Sequence, residues 1–223
     1  MTPAKIRILL VDDHAIVRHG YRTLLEKQPD MEVVGEAVDA ADAYARYQEA
    51  GPDVVIMDIS LPGQSGIEAI TRIRQRNRSA KVLVFTMHQN PSFAIQATRA
   101  GAFGYITKSS APEVLVRAVY EVHAGRHALS PDIAQTLAIN KLRGEHVPLG
   151  ELSPRQFEIL RMLVGGRSTR EIAEALHLSP KTVANGHYEI KRKIGVKSDI
   201  ELVHLALRLQ VIDLLEVVGD TAL

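Results

Sequence analysis

The chain has 223 residues, 46% of them hydrophobic, with 27 basic and 26 acidic side chains and a formal charge of +1. This length suits two domains better than one, and the lack of any cysteine excludes disulfides and thiolate metal sites. No apolar run approaches the roughly 18 residues of a membrane span, and MTPAKIRILLVDDH meets acids too early to act as a signal peptide. A soluble cytoplasmic protein with no membrane partner is expected.

Along residues 1–125, KIRILLVD, EVVGEAV, DVVIMDI, KVLVFTM and GYITK read as strands. Several are near-continuous apolar runs, as a sheet covered on both faces requires. Between them Val17, Tyr21, Leu24 and Leu25 space as one helix face, as do Ile67, Ile70 and Ile73, and Val114, Leu115, Ala118 and Val122. Alternation of five strands with five helices predicts a doubly wound, five-stranded parallel α/β domain. Its 14 basic and 14 acidic residues balance.

Residues 126–150 read as a linker, in which RHALSP and EHVPLG flank a short helix, DIAQTLAINKL. From 151 to 223 the strand pattern disappears. LSPRQFEILRMLVGG has a Ser cap, Pro at the first helical position and a Gly stop. STREIAEALH, SPKTVANGHYEIKRKIG and SDIELVHLALRLQVI follow, giving a small all-α domain of four helices, from which the tail VIDLLEVVGDTAL extends or frays. Residues 151–210 hold 10 basic against 7 acidic side chains, with Lys181, Lys191, Arg192 and Lys193 in one segment.

The polar residues of the first domain gather at strand ends. Asp12 and Asp13 close the first strand, Asp58 the third, Thr86 lies near the end of the fourth and Lys108 closes the fifth. Taken singly, each reads as an ordinary strand-to-helix cap. Taken together, they meet at the crevice where open α/β sheets bind ligands. Three close carboxylates need a cation, and hard oxygen ligands suit Mg²⁺. One carboxylate can then attack phosphorus, with Lys108 and Thr86 meeting the transferring oxygens.

LLVDDHAIVRHG, VVIMDISLPGQSGIEAI, VLVFTMH and GYITKSS resemble the receiver domain of bacterial response regulators, a flavodoxin-like fold. The resemblance implies that Asp58 accepts a phosphoryl group from a sensor histidine kinase or phosphotransfer protein. It implies Mg²⁺ held by Asp12, Asp13, Asp58 and the Ser60 backbone carbonyl, phosphate contact by Lys108, and a switch pair of Thr86 and Tyr105. Ser109 stands where many receivers have Pro. Aspartyl phosphatases resemble a D-x-D-x-T/V pattern, but here the run is DIS, with Ser60 in place of the second acid. Enzymatic turnover is therefore not expected.

LSPRQFEILRMLVGGRSTREIAEALHLSPKTVANGHYEIKRKIGVKSDIELVHLA resembles the LuxR-type helix-turn-helix of NarL/FixJ response regulators. It implies a positioning helix at 169–177 and a reader at 180–194 that enters the major groove of double-stranded promoter DNA. It also implies a homodimer when phosphorylated, with RNA polymerase as a further partner. At 100° per residue, Val183, His187, Ile190 and Ile194 form a buried stripe, on which His187 reads as a packed core histidine. Asn185 and Arg192 lie opposite, flanked by Lys181, Tyr188 and Glu189, with Ala184 on the shoulder. The DNA-binding set is Lys181, Thr182, Ala184, Asn185, Tyr188, Arg192 and Lys193.

Gly186 falls at the border of the buried stripe, where Ala is expected to raise the melting temperature. The apolar stripe Leu202, Leu205, Ala206 and Leu209 either covers the small core or pairs two modules. Competing readings keep the domains but treat the receiver as a dimerisation scaffold independent of phosphorylation, or the chain as an interaction protein that has lost DNA binding.

Overall fold

The structure, a computed structural model, describes residues 4–144, 147 and 149–212. Six strands, β1 (Ile6–Val11), β2 (Met31–Ala37), β3 (Val54–Met57), β4 (Val82–Thr86), β5 (Gly104–Thr107) and β6 (Ala128–Leu129), form one sheet in the order β2-β1-β3-β4-β5-β6. Every neighbouring pair is parallel. Helices α1 (Ala15–Glu26), α2 (Ala40–Ala50), α3 (Gly66–Arg76), α4 (Pro91–Ala100) and α5 (Pro112–His123) alternate with the first five strands. Side chains on successive strand residues point to opposite faces. Ile8, Leu10, Ile56, Leu83, Phe85 and Ile106 accordingly pack with Leu25 of α1 and Leu115, Val119 and Val122 of α5. Leu9, Val11, Val55, Met57, Val82 and Val84 pack with α2, α3 and α4 on the other face. Of the expected α1 stripe only Leu25 is fully buried; Val17, Tyr21 and Leu24 are half-buried.

The sheet has one strand more than expected. In β6, Ala128 pairs with Gly104 and Leu129 with Tyr105, at the beginning of the segment read as a linker. Two residues are too few to carry a readable alternation, so only the β5 edge reveals the strand. Helix α6 (Pro131–Arg143) follows and closes on Gly144, whose φ of 65° is left-handed. It is tied back by Ile133, buried in the core, and by Thr107 Oγ1, which donates to Asp132 Oδ2 at 3.0 Å. No cis peptide occurs among the described residues, and none of their helices is long and apolar enough to cross a membrane.

The C-terminal module comprises α7 (Pro154–Val164), α8 (Thr169–Ala175), α9 (Pro180–Ile194) and α10 (Asp199–Arg208). Reciprocal capping boxes start α7 (Ser153 with Gln156) and α8 (Ser168 with Glu171), and Ser179 Oγ caps α9 by accepting from the Thr182 N–H. Helix α8 ends two residues before the expected 177, because His177 takes a left-handed φ of 53°. The last helix does not extend into the tail either. Gln210 turns left-handed at φ 49°, and Val211 and Ile212 fold into the core. The remaining tail, 213–223, lies outside the described residues.

The two domains share a core. Helix α7 packs on α3 and α4, with the Phe157 ring edge-on to Phe93 at 5.0 Å between centroids. Polar links surround this contact. Buried Gln96 donates from Nε2 to the Leu149 and Leu152 carbonyls, and Arg99 also donates to Leu152 O. Gln64 donates to Ala175 O, Arg155 pairs with Glu68 at 3.0 Å, and the Asn90 amide donates to the Leu209 carbonyl. A cavity of about 370 Å³ lies along this seam, lined in part by Gln64, Ser65, Glu158, Arg161 and Arg167.

Candidate functional site

Backbone bonds continue the ladder just past the strand ends. Asp12 N–H donates to Ala37 O, Asp58 N–H to Val11 O, and Lys108 N–H to Thr86 O. This places Asp12, Asp58 and Lys108 at one edge, beside the β2-β1-β3 reversal in strand order where α/β sheets form their crevice. Lys108 Nζ donates to Asp12 Oδ2 at 2.5 Å and to Asp58 Oδ2 at 2.6 Å. Both carboxylates are almost wholly buried. Burial disfavours the Lys108 charge, but the Asp58 and Asp12 carboxylates outweigh it and hold its pKa above the ordinary lysine value.

Asp13 stays exposed beside them. Donor atoms of Asp12, Asp13 and His14 all lie within 4.8 Å of one another, with His14 Nδ1 2.8 Å from Asp13 Oδ1. Carboxylate oxygens so grouped, with Asp58 joined to Asp12 through Lys108, are a donor set that fits a hard divalent cation. Asp58 Oδ1 accepts from the Ser60 N–H at 3.0 Å. Two features here were not singled out in the sequence. Arg18 donates to the Asp12 carbonyl at 2.6 Å. Gly66 lies so close under Asp58 that a Cβ would come within 2.1 Å of the Asp58 carbonyl oxygen.

The expected switch pair is brought together through a third residue. Thr86 and Tyr105 are fully buried. Thr86 Oγ1 accepts from the His88 N–H at 3.5 Å, and Tyr105 OH donates to the His88 carbonyl at 2.9 Å. Burial, followed by the nearby Asp58 charge, holds the Tyr105 pKa well above its ordinary value. His88 also places Nε2 3.0 Å from Ser60 Oγ and stacks on Phe93 at 4.0 Å. Its only signal in the sequence was its place two residues after Thr86.

On α9, Val183 and Ile190 are fully buried and Ile194 is half-buried, as the helical phase requires. Lys181, Thr182, Ala184, Asn185, Tyr188, Arg192 and Lys193 are all exposed. The helix packs against α7 and α8, leaving this outer face open. Three of the seven side chains are already engaged. Thr182 Oγ1 lies 2.8 Å from the capping Ser179 Oγ, Arg192 pairs with Glu189, and Lys193 donates to Gln156 Oε1.

His187 is not a core histidine. It is half-buried, and its Nε2 lies 2.8 Å from Asp199 Oδ1, an oxygen it shares with Lys191. The Lys191 hydrogen bond is the main cause holding the Asp199 carboxyl below its ordinary pKa. Gly186 is half-buried at the border of the buried stripe, as its phase places it. It faces α7, and a Cβ there would lie 2.9 Å from Ile159 Cδ1.

Known proteins agree with both halves. Residues 8–120 match the response regulator receiver domain, and residues 150–206 match the bacterial regulatory proteins of the luxR family. Response regulator UvrY of Escherichia coli (strain K12) is 38% identical over 205 residues, covering 91% of this chain and 94% of its own. Response regulator GacA of Pseudomonas aeruginosa is 37% identical over 210 residues, covering 93% and 98%. Among solved structures, RcsB from Salmonella enterica serovar Typhimurium, bound to promoter P1flhDC in the presence of the phosphomimetic BeF3-, superposes with a TM-score of 0.75 at 28% identity. That match covers 93% of this chain and 100% of the RcsB chain. A LuxR-family two-component response regulator from Aurantimonas sp. SI85-9A1 is 54% identical with a TM-score of 0.61, over 62% of this chain and 99% of that one. The chain belongs to the NarL/FixJ response regulators, which join a receiver domain to a LuxR-type DNA-binding domain.

Proposed function

We propose that Asp58 accepts a phosphoryl group from a sensor histidine kinase or phosphotransfer protein, and that this governs how the C-terminal module engages double-stranded promoter DNA. The observation that carries the reading is the Lys108 ammonium bridging the buried Asp58 and Asp12 carboxylates, with Thr86 and Tyr105 behind. An Asp58 oxygen attacks phosphorus, and the bond from phosphorus to the donor breaks. Lys108 and the Thr86 hydroxyl then meet the equatorial oxygens of the transferred group. Mg²⁺, held by Asp12, Asp13, Asp58 and the Ser60 carbonyl, would neutralise charge on the carboxylates and phosphoryl oxygens when bound. Ser60 offers no general acid, so the domain is read as an acceptor and not as a turnover enzyme.

In the module, the exposed face of α9 enters the major groove. Asn185 suits adenine and Arg192 guanine, Ala184 can touch a thymine methyl, Tyr188 lies beside them, and Lys181, Thr182 and Lys193 suit phosphates. A homodimer would match two half-sites, with RNA polymerase as a further partner, and work on promoter DNA puts the protein in the cytoplasm. The receiver is taken to span 1–125, its sheet completed by β6 from the 126–150 segment, and the DNA-binding domain 151–223. The test is Mg²⁺-dependent labelling by acetyl phosphate. Wild type takes the label and Asp58→Asn does not; full labelling of Asp58→Asn rejects the assignment.

A further inference from the structure

We infer that His88 is the positioning residue through which the state of Asp58 sets the docking of the DNA-binding module, by way of a buried stack from His88 to Phe93 to Phe157. The inference rests on the phosphoacceptor reading above and extends it to the second domain.

Three contacts join His88 to the acidic site. Its Nε2 lies 3.0 Å from Ser60 Oγ, and the Ser60 N–H is bound to Asp58 Oδ1. Its own N–H donates to Thr86 Oγ1, and its carbonyl accepts from Tyr105 OH. On the other side the imidazole lies nearly parallel to Phe93, with centroids 4.0 Å apart and planes at 12°. Phe93 meets Phe157 of α7 edge-on, and the Arg161 guanidinium sits 5.5 Å from the Phe93 ring centre. Phe93 and Phe157 are fully buried.

A close-packed interior passes on displacements instead of absorbing them. If the Thr86 hydroxyl turns to a phosphoryl oxygen, the contact it accepts from the His88 N–H changes, and the loop from Thr86 to Asn90 shifts with it. That loop ends at the N-cap of α4, where the Asn90 amide holds the Leu209 carbonyl of the module. The ring stack and this cap move together, and both touch the docked domain. The more exposed ion pair at the seam, Arg155 with Glu68, is partly open to solvent and weak by comparison. A two-state change in docking needs only a difference in stability between the arrangements.

The absence of cysteine permits a clean measurement. Spin labels on Arg78→Cys and Lys197→Cys, both exposed positions, report the distance between receiver and module. The labelled parent is expected to shift its distance distribution on adding Mg²⁺ and acetyl phosphate. Phe157→Leu, remote from Asp58, is expected to take the phosphoryl label and lose that shift. His88→Ala and His88→Gln, the second keeping a polar reach to Ser60 without the stack, are expected to lose it as well, while His88→Phe retains it. Shifts as large as the parent's in Phe157→Leu and His88→Gln overturn the inference. So does a parent that is labelled on Asp58 yet shows no shift. A parent that takes no label at all instead rejects the phosphoacceptor reading.

Discussion

Gly186 on the reader helix and Ile159 on α7 meet so closely that a Cβ at 186 would stand 2.9 Å from the Ile159 δ-methyl. Ile159 is buried and cannot swing into solvent. Replacing Gly by Ala favours a helix by roughly 1 kcal/mol, but crowding a packed core costs about 1–3 kcal/mol. Gly186→Ala is therefore expected not to raise the melting temperature, contrary to the reading from helix propensity alone. Ile159→Val removes the atom in the way, so in that background Gly186→Ala should stabilise. Thermal unfolding of the four proteins in the cycle measures the coupling, expected at about 1 kcal/mol; strict additivity would show that the glycine serves something else.

Lys108 is the internal counter-charge for Asp12 and Asp58. Lys108→Met leaves two buried carboxylates facing each other, at a cost of roughly 3–5 kcal/mol in Mg²⁺-free buffer. Millimolar Mg²⁺ should recover more stability in this variant than in wild type, because the proposed cation site then carries the whole neutralisation. Melting curves with and without Mg²⁺ decide it. An equal Mg²⁺ response in both proteins would argue against a cation among these carboxylates.

Glu158 is a carboxylic acid buried at the seam between the domains. Burial raises its pKa against the opposing pull of Arg161, the Ser65 hydroxyl and Arg155, while Glu68 raises it further. Because the folded-state pKa is raised, its contribution to stability is fully present below the ordinary glutamate value of about 4.3. It is lost as pH rises through the raised value. Glu158→Gln is expected to be more stable than wild type at neutral pH, with the difference disappearing near pH 4. Urea unfolding across this range is the measurement, and a difference that stays constant with pH contradicts the account.

Lys181 and Asn185 are both exposed on α9 without belonging to one class of contact. Lys181→Ala should weaken binding to all sequences and reduce the salt slope by about 1. Asn185→Ala should cost about 1–3 kcal/mol at one base and leave the slope unchanged. Binding titrations at several salt concentrations, on a cognate site and its single-base variants, separate them. If both variants lose affinity in the same way, the assignment of this helix face is wrong.

By itself the sequence determined what depends on local period and local caps. Short β-branched apolar runs such as VVIM, bounded by turn signals, read as strands buried on both faces, and Ser153 and Ser179, each followed by Pro, marked α7 and α9 where they begin. The acidic site was legible too, because a parallel sheet brings all its strand C-termini to one edge. Asp12, Asp58 and Lys108 converge for that reason alone. The phase of α9 likewise separated Val183 and Ile190 from Asn185 and Arg192. What only the tertiary structure decided are the pairings between distant residues that no local period encodes. Ser60 meets His88 from 28 residues away, and Gln96 meets Leu149 from 53. The two-residue β6 exists only as a partner for β5, and Gly186 faces the δ-methyl of an isoleucine on another helix. The docking of the module on α3 and α4 belongs to the same class, because such contacts become visible only when two surfaces are already folded and pressed together.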